Sequence, residues 1–257
     1  MIQDIKAVKA IDLHSHINHG SPYDSLSNDS LIYKAEYDFL TERYNIANIE
    51  KAVFSTFAAV LHTEPIVEEN EYLHKLVLEK ERAYQWVVVD PRQKKTFEQA
   101  DRMLDSKKVL GLKIMPGMHG YDIKEYGDSI FSFAAERKTV ILIHPTGNAA
   151  DESSFADKYP ETKLILAHLE GEGHVCFIRG SKNGNIYTDT SGSASVNNNS
   201  VEYAVSEVGS NHIFFGTDTY AAGFQRGRIE YAAISDEDKR NILRENALRV
   251  FARNFAD

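Results

Sequence analysis

Short runs of Val, Ile, Leu and Phe recur along the chain, separated by stretches long enough to hold a helix. Apolar runs without polar alternation mark strands covered on both faces, as in a parallel sheet. Eight are legible: Ala10 to His16, Ile49 to Phe57, Ala83 to Asp90, Val109 to Met115, Thr139 to Pro145, Lys163 to Leu169, Asn185 to Ser191 and Ile213 to Thr219. Between them apolar residues take helical spacing, as at Tyr72, Leu73, Leu76 and Val77, or Ile130, Phe131, Ala134 and Ala135. Ser235, with Asp238 three residues on, reads as the cap of a closing helix that carries Ile242, Leu243, Leu248, Val250 and Phe251.

Alternating strands and helices with right-handed crossovers build either a closed barrel or an open doubly wound sheet. The polar residues separate the two. His16, Lys113, His144, His168 and Asp218 each fall near the C-terminal end of a different predicted strand. A closed barrel brings those ends to one mouth, whereas an open sheet spreads them along an edge. The expectation is therefore an α/β protein, a (β/α)8 TIM barrel, with residues 1–257 as a single domain. A length of 257 residues suits one such barrel.

The net charge of -9, with no Lys/Arg cluster, argues against nucleic acid as a partner. No run of about 18 apolar residues suggests a membrane span, and Met1 to Ala10 lacks the apolar core of a signal peptide. Cys176 is the only cysteine, so no intramolecular disulfide forms. These features predict a soluble, cytoplasmic protein acting on a small molecule, with homo-oligomerisation left open. No glycine-rich phosphate loop opens a βα unit, which disfavours nucleotide-dependent chemistry.

In Ile11-Asp12-Leu13-His14-Ser15-His16, two imidazoles lie two positions apart on a predicted strand and share a face, a spacing suited to gripping one ion. Imidazole donors favour zinc and similar metals over calcium or magnesium. His144 and Asp218 each end an almost wholly apolar run, where an unpartnered polar group costs about 2–7 kcal/mol; a shared cation explains both. His168 ends a sixth run in the same way and is suited to proton transfer. Alone, each has a plainer reading: a histidine bonded to backbone, or an aspartate capping a turn.

Taken together, His14-Ser-His16, Gly111-Leu-Lys113, His144, His168-Leu-Glu-Gly171, Tyr187-Thr-Asp-Thr-Ser191, Phe215-Gly-Thr-Asp218 and Asn246-Ala-Leu-Arg-Val-Phe251 resemble the amidohydrolase superfamily, in particular its amidohydrolase-related (amidohydrolase 2) branch of metal-dependent TIM-barrel hydrolases. The resemblance runs from Asp12 to Phe251. It implies a distorted barrel whose metal is bound by His14, His16, His144 and Asp218, with His168 as a second-metal ligand or catalytic histidine. Lys113 matches the strand-four position that bridges two metals in binuclear members. One zinc is expected, with two metals, Mn2+ or Fe2+ as alternatives; Lys113 is then a second-metal or substrate residue, or a core lysine paired with a carboxylate.

Loop residues at the expected mouth, His119, Tyr121 and Arg226, are candidates for substrate binding, as are His19, Tyr23 and Arg228. The leading expectation is a metal-dependent hydrolase in which metal-activated water cleaves an amide, cyclic amide, ester or lactone, with Asp218 and His168 as catalytic residues. The alternative is a non-oxidative decarboxylase of a small aromatic or unsaturated carboxylic acid, for which Arg226 or Arg228 would clamp the carboxylate. A metal-binding barrel without turnover ranks last.

Overall fold

The computed structural model describes residues 4–24, 30, 32–147, 149–192 and 196–256. Its eight strands are β1 (Ala10–Ile17), β2 (Ile49–Thr56), β3 (Ala83–Val88), β4 (Val109–Ile114), β5 (Val140–Ile143), β6 (Lys163–Leu166), β7 (Ile186–Asp189) and β8 (Ile213–Phe214). They pair in sequence order, each ladder parallel, and helices alternate with them. This is the expected (β/α)8 barrel in distorted form. Among the described residues, no helix is long and apolar enough to cross a membrane.

The distortion lies at the seam. β8 has two residues, and the chain beyond it completes the closure: Leu13 N–H donates to Phe215 O at 2.9 Å, while His14 O accepts from Thr217 and Asp218 N–H at 3.1 and 2.7 Å. Phe215 N–H turns outward to Ile242 O at 3.0 Å. That carbonyl belongs to a π-helical turn, Asn241–Glu245, within the closing helical segment. A wider turn frees backbone groups for partners outside the helix.

Several predicted strands overran their C-terminal ends because the apolar run continues into a tight turn. β6 stops at Leu166, and a single 3-10 turn, Ala167–Leu169, carries His168 with φ +77. Asp218 and Thr219 follow β8 with φ +54 and +62. Positive φ is uncommon outside glycine, so these polar residues sit in a conformation imposed by surrounding contacts.

Inside the barrel, Trp86, Leu13, Val53, Leu142, Ile165 and Phe214 pack as one apolar layer. Room for the indole comes from Gly111, where a Cβ would lie 2.9 Å from Trp86 Cζ3 and 2.2 Å from Val140 O. The Trp86 Nε1–H donates to Leu13 O at 2.7 Å. It does so where the β1–β2 register shifts between Asp12 and Ser15, and this irregularity aims the two histidines.

Candidate metal centre

Asp12 is wholly buried and accepts from His14 N–H (3.0 Å), Thr217 N–H (3.0 Å), Thr217 Oγ1 (2.6 Å) and Tyr44 OH (2.9 Å). Its carboxyl thus ties β1 to the turn after β8. Burial pushes its pKa up to about 7, against the hydrogen bonds that favour the anion. The clamp sets His14 and His16 on one side of the mouth, with ring centroids 5.2 Å apart.

Each imidazole is oriented from behind. His14 Nδ1 lies 3.0 Å from Asp189 Oδ2 and 2.9 Å from Ser191 Oγ, which places the ring proton on Nδ1 and leaves Nε2 as an acceptor facing Lys113 and Asp218. His16 Nδ1 lies 2.9 Å from Ser55 Oγ. The forward nitrogens meet Asp218: His16 Nε2 is 3.2 Å and His14 Nε2 3.7 Å from its Oδ1. Metal–donor bonds of about 2.0–2.2 Å at octahedral to tetrahedral angles separate neighbouring donors by about 3–3.5 Å. The spacing of His14, His16 and Asp218 therefore fits one cation, and Asp189 stands where a carboxylate commonly supports a ligating histidine.

The electrostatics agree. Burial and the nearby Lys113 charge push His14 down to about 3, and burial likewise lowers His16; His144 falls to about 4 through burial, Lys113 and His168. These rings are neutral, the form that binds metal. Burial opposes ionisation of Asp218, yet its hydrogen bond with His16 and the neighbouring imidazoles hold it well below the usual carboxylate range. Lys113 is 0 % exposed, with Nζ 2.9 Å from His14 Nε2. Burial pushes it down to about 8, with Asp218 and Asp189 favouring its charged form.

His168 completes the floor. Its ring lies 5.0 Å from His14 and 4.9 Å from His144, and its Nδ1 is 3.0 Å from Ser191 Oγ and 4.0 Å from Asp218 Oδ2. A second close group, His14, His168 and Asp189, shares His14 with the first; since Asp189 already holds His14 Nδ1, we read that carboxylate as a support. His144 lies beside His168, outside both close groups of the described residues. Phe57, 4.9 Å from His16, and Tyr33, 6.2 Å from Phe57, form an aromatic side wall.

Other expected contacts are corrected. Arg226 is no mouth clamp: its guanidinium donates to Val8 O and Asn48 O, each at 2.8 Å, and to Glu230 at 2.6 Å, at the end of the barrel where β1 and β2 begin. The helix Ala222–Glu230 carries it there, and Arg228 pairs with Glu202 at 2.6 Å. His119 and Tyr121 are buried and make contacts within the fold. The short helix Pro116–His119 turns His119 Nε2–H to Ala59 O at 3.0 Å, while Arg92 grips His119 O at 2.6 Å and lies over the buried Tyr121 ring. His19 bonds Glu69 at 2.9 Å and stacks on Tyr72, and Tyr23 lies beside His62.

Asp189, Ser191 and Ser55 were not singled out from sequence, although the first two lie in the Tyr187 to Ser191 motif. Their signal was present: a carboxylate and a hydroxyl two positions apart at the end of a buried run.

A search of curated proteins finds no match. Among solved structures, a dihydroxybenzoic acid decarboxylase from Polaromonas sp., with bound manganese and 2-nitroresorcinol, is 17% identical with TM-score 0.76, covering 96% of this chain and 98% of that one. A 5-carboxyvanillate decarboxylase from Sphingomonas paucimobilis is 13% identical with TM-score 0.71, over 95% and 99%. A probable 2-pyrone-4,6-dicarboxylic acid hydrolase from Acinetobacter baumannii is 12% identical with TM-score 0.66, over 95% and 99%. At such identities the likeness establishes the fold. The amidohydrolase family model, in contrast, matches residues 11–253, and with that span the chain belongs to the amidohydrolase family of metal-dependent enzymes.

Proposed function

We propose that the chain is a metal-dependent, non-oxidative decarboxylase of a small aromatic or unsaturated carboxylic acid. The carrying observation is Lys113, a fully buried cation set against the His14, His16 and Asp218 cluster. With one divalent cation in place, the positive charges of metal and lysine exceed those of Asp218 and Asp189 by about one unit, which favours an anionic substrate without an arginine clamp. The manganese-bound decarboxylase and its 5-carboxyvanillate counterpart, built on the same fold, support this reading over hydrolysis, the leading expectation from sequence.

His14, His16 and Asp218 would hold the ion, with His144 as the fourth donor inferred from the family resemblance. Zinc suits the imidazoles, and manganese is the metal of the Polaromonas structure. A divalent cation there supplies Lewis-acid pull on a substrate oxygen. Lys113 attracts the carboxylate, and Phe57 and Tyr33 offer faces to a planar ring. As the carbon–carbon bond breaks, its electron pair stays on the substrate carbon and carbon dioxide departs; that carbon takes a proton from the His168–Asp218 pair, which water restores.

The second reading is hydrolysis, with Asp218 taking a proton from water, and the probable pyrone hydrolase on the same fold favours it. Protein loaded separately with zinc and manganese, offered hydroxybenzoates and lactones, discriminates the two. Carbon dioxide release from a benzoate is expected; lactone opening without carbon dioxide from any acid would replace decarboxylation with hydrolysis.

A further inference from the structure

At Gly192 the loop leaving β7 meets the His168–Asp218 pair without a side chain. Gly192 has φ +72, and a Cβ on it would lie 2.7 Å from His168 Nδ1 and 3.2 Å from Asp218 Oδ2. Any side chain here would press on both groups, whose Nδ1 and Oδ2 stand 4.0 Å apart. The preceding residue is already committed: Ser191 Oγ contacts His14 Nδ1 at 2.9 Å and His168 Nδ1 at 3.0 Å. Where the backbone of residue 192 sits therefore limits how imidazole and carboxylate face one another.

That backbone is held from outside the mouth. Gln225 Nε2 donates to Gly192 O at 2.7 Å, and Gln225 is 2 % exposed, on the helix Ala222–Glu230. The adjoining Arg226 fixes the same helix to Val8 O and Asn48 O at the base of the barrel. One helix is thus anchored below while an amide reaches residue 192. A carboxamide supplies the N–H donor without burying a charge.

We propose that Gly192 and Gln225 are positioning residues for the His168–Asp218 pair: the Gln225 amide holds the residue 192 carbonyl, and the bare Cα of Gly192 sets the gap between imidazole and carboxylate. This rests on His168 and Asp218 forming the proton-transfer pair.

The test compares Gln225→Leu, Gln225→Glu and Gly192→Ala with wild type in the zinc-loaded protein, whose diamagnetic ion leaves nearby resonances sharp, using Phe224→Ala, an exposed change on the same helix, as control. Metal content, melting temperature, kcat and KM are measured, together with the ring 15N resonances of His168, assigned with a His168→Asn variant. Gln225→Leu is expected to lower kcat about 10–100-fold and displace the His168 resonances, with KM and metal content within about twofold of wild type. Gln225→Glu, which sets acceptor against acceptor, acts at least as strongly, and Phe224→Ala does neither. If Gln225→Leu does not fold, Gly192→Ala carries the same comparison. Unchanged His168 resonances in the folded Gln225 and Gly192 variants overturn the proposal, even where kcat falls with the melting temperature. If no carboxylic acid turns over, the decarboxylase reading fails separately, and the resonances still decide the positioning role.

Discussion

Asp189 lies behind His14, with Oδ2 3.0 Å from the ring Nδ1, so replacing it tests ring orientation apart from ring presence. In Asp189→Asn the side chain keeps its size but loses the charge that holds the proton on Nδ1. Cation affinity should fall about 10–100-fold, read by competition with a chromophoric chelator. Wild-type affinity would remove Asp189 from the site. Lys113 makes the complementary case. Lys113→Met keeps an unbranched chain of similar length and removes the cation; KM for a carboxylate should rise about tenfold or more, as for loss of a bond to a charged group worth about 1.5–3 kcal/mol. An unchanged KM would assign Lys113 to charge balance within the core. At this scale the sequence pointed to His14, His16 and Asp218 as a set, because a barrel brings the ends of the strands that carry them to one mouth. Asp189, Ser191 and Ser55 were harder to see, since hydroxyls and carboxylates at strand ends also serve as ordinary turn caps.

Strand order and helix alternation were legible from apolar runs, whereas the points where strands stop were not. The run from Ile213 to Thr219 reads as one strand; in the structure two residues pair and the rest bend so that Asp12 can receive two donors from Thr217. That bend depends on a carboxylate about two hundred residues away in the chain, which local patterning cannot reveal. The loop after β1 shows the same dependence. His19 bonds Glu69 on the helix Ile66–Glu79. Burial alone would lower the His19 pKa, but the hydrogen bond and charge of Glu69, with Asp24, raise it; those of His19 help lower Glu69. A histidine raised in the folded state adds stability that is full below its unfolded value of about 6.5 and is lost as pH rises through the higher folded value. The glutamate adds stability that is full above about 4.3 and is lost as pH falls through its lowered value. The pair therefore contributes most between those limits. His19→Gln should lower the melting temperature more at pH 5.5–6, roughly that window, than at alkaline pH, once the raised His19 value has been passed. An equal deficit at both pH values would show that stacking on Tyr72, not charge, is what His19 provides.

Across the whole molecule, the barrel closes where its ladder is weakest. Between β8 and β1 a few hydrogen bonds from Phe215, Thr217 and Asp218, with the Asp12 clamp, replace a full strand pairing. The proposed ligands straddle that seam: His14 and His16 belong to β1, and Asp218 to the turn after β8. A cation shared by them would join the two edges, so its binding free energy would appear as stability of the closed barrel. Occupancy at about 100 times Kd adds about 2.7 kcal/mol. For a chain of this size that corresponds to roughly 5–10 °C in melting temperature. Chelation should therefore lower the melting temperature of the loaded protein by that amount, and returning zinc or manganese should restore it. A His14→Ala, His16→Ala variant should melt near the chelated wild type and ignore both treatments, which separates the seam from weak ion binding elsewhere. Equal responses of variant and wild type to chelator would place the stabilising ion away from β1.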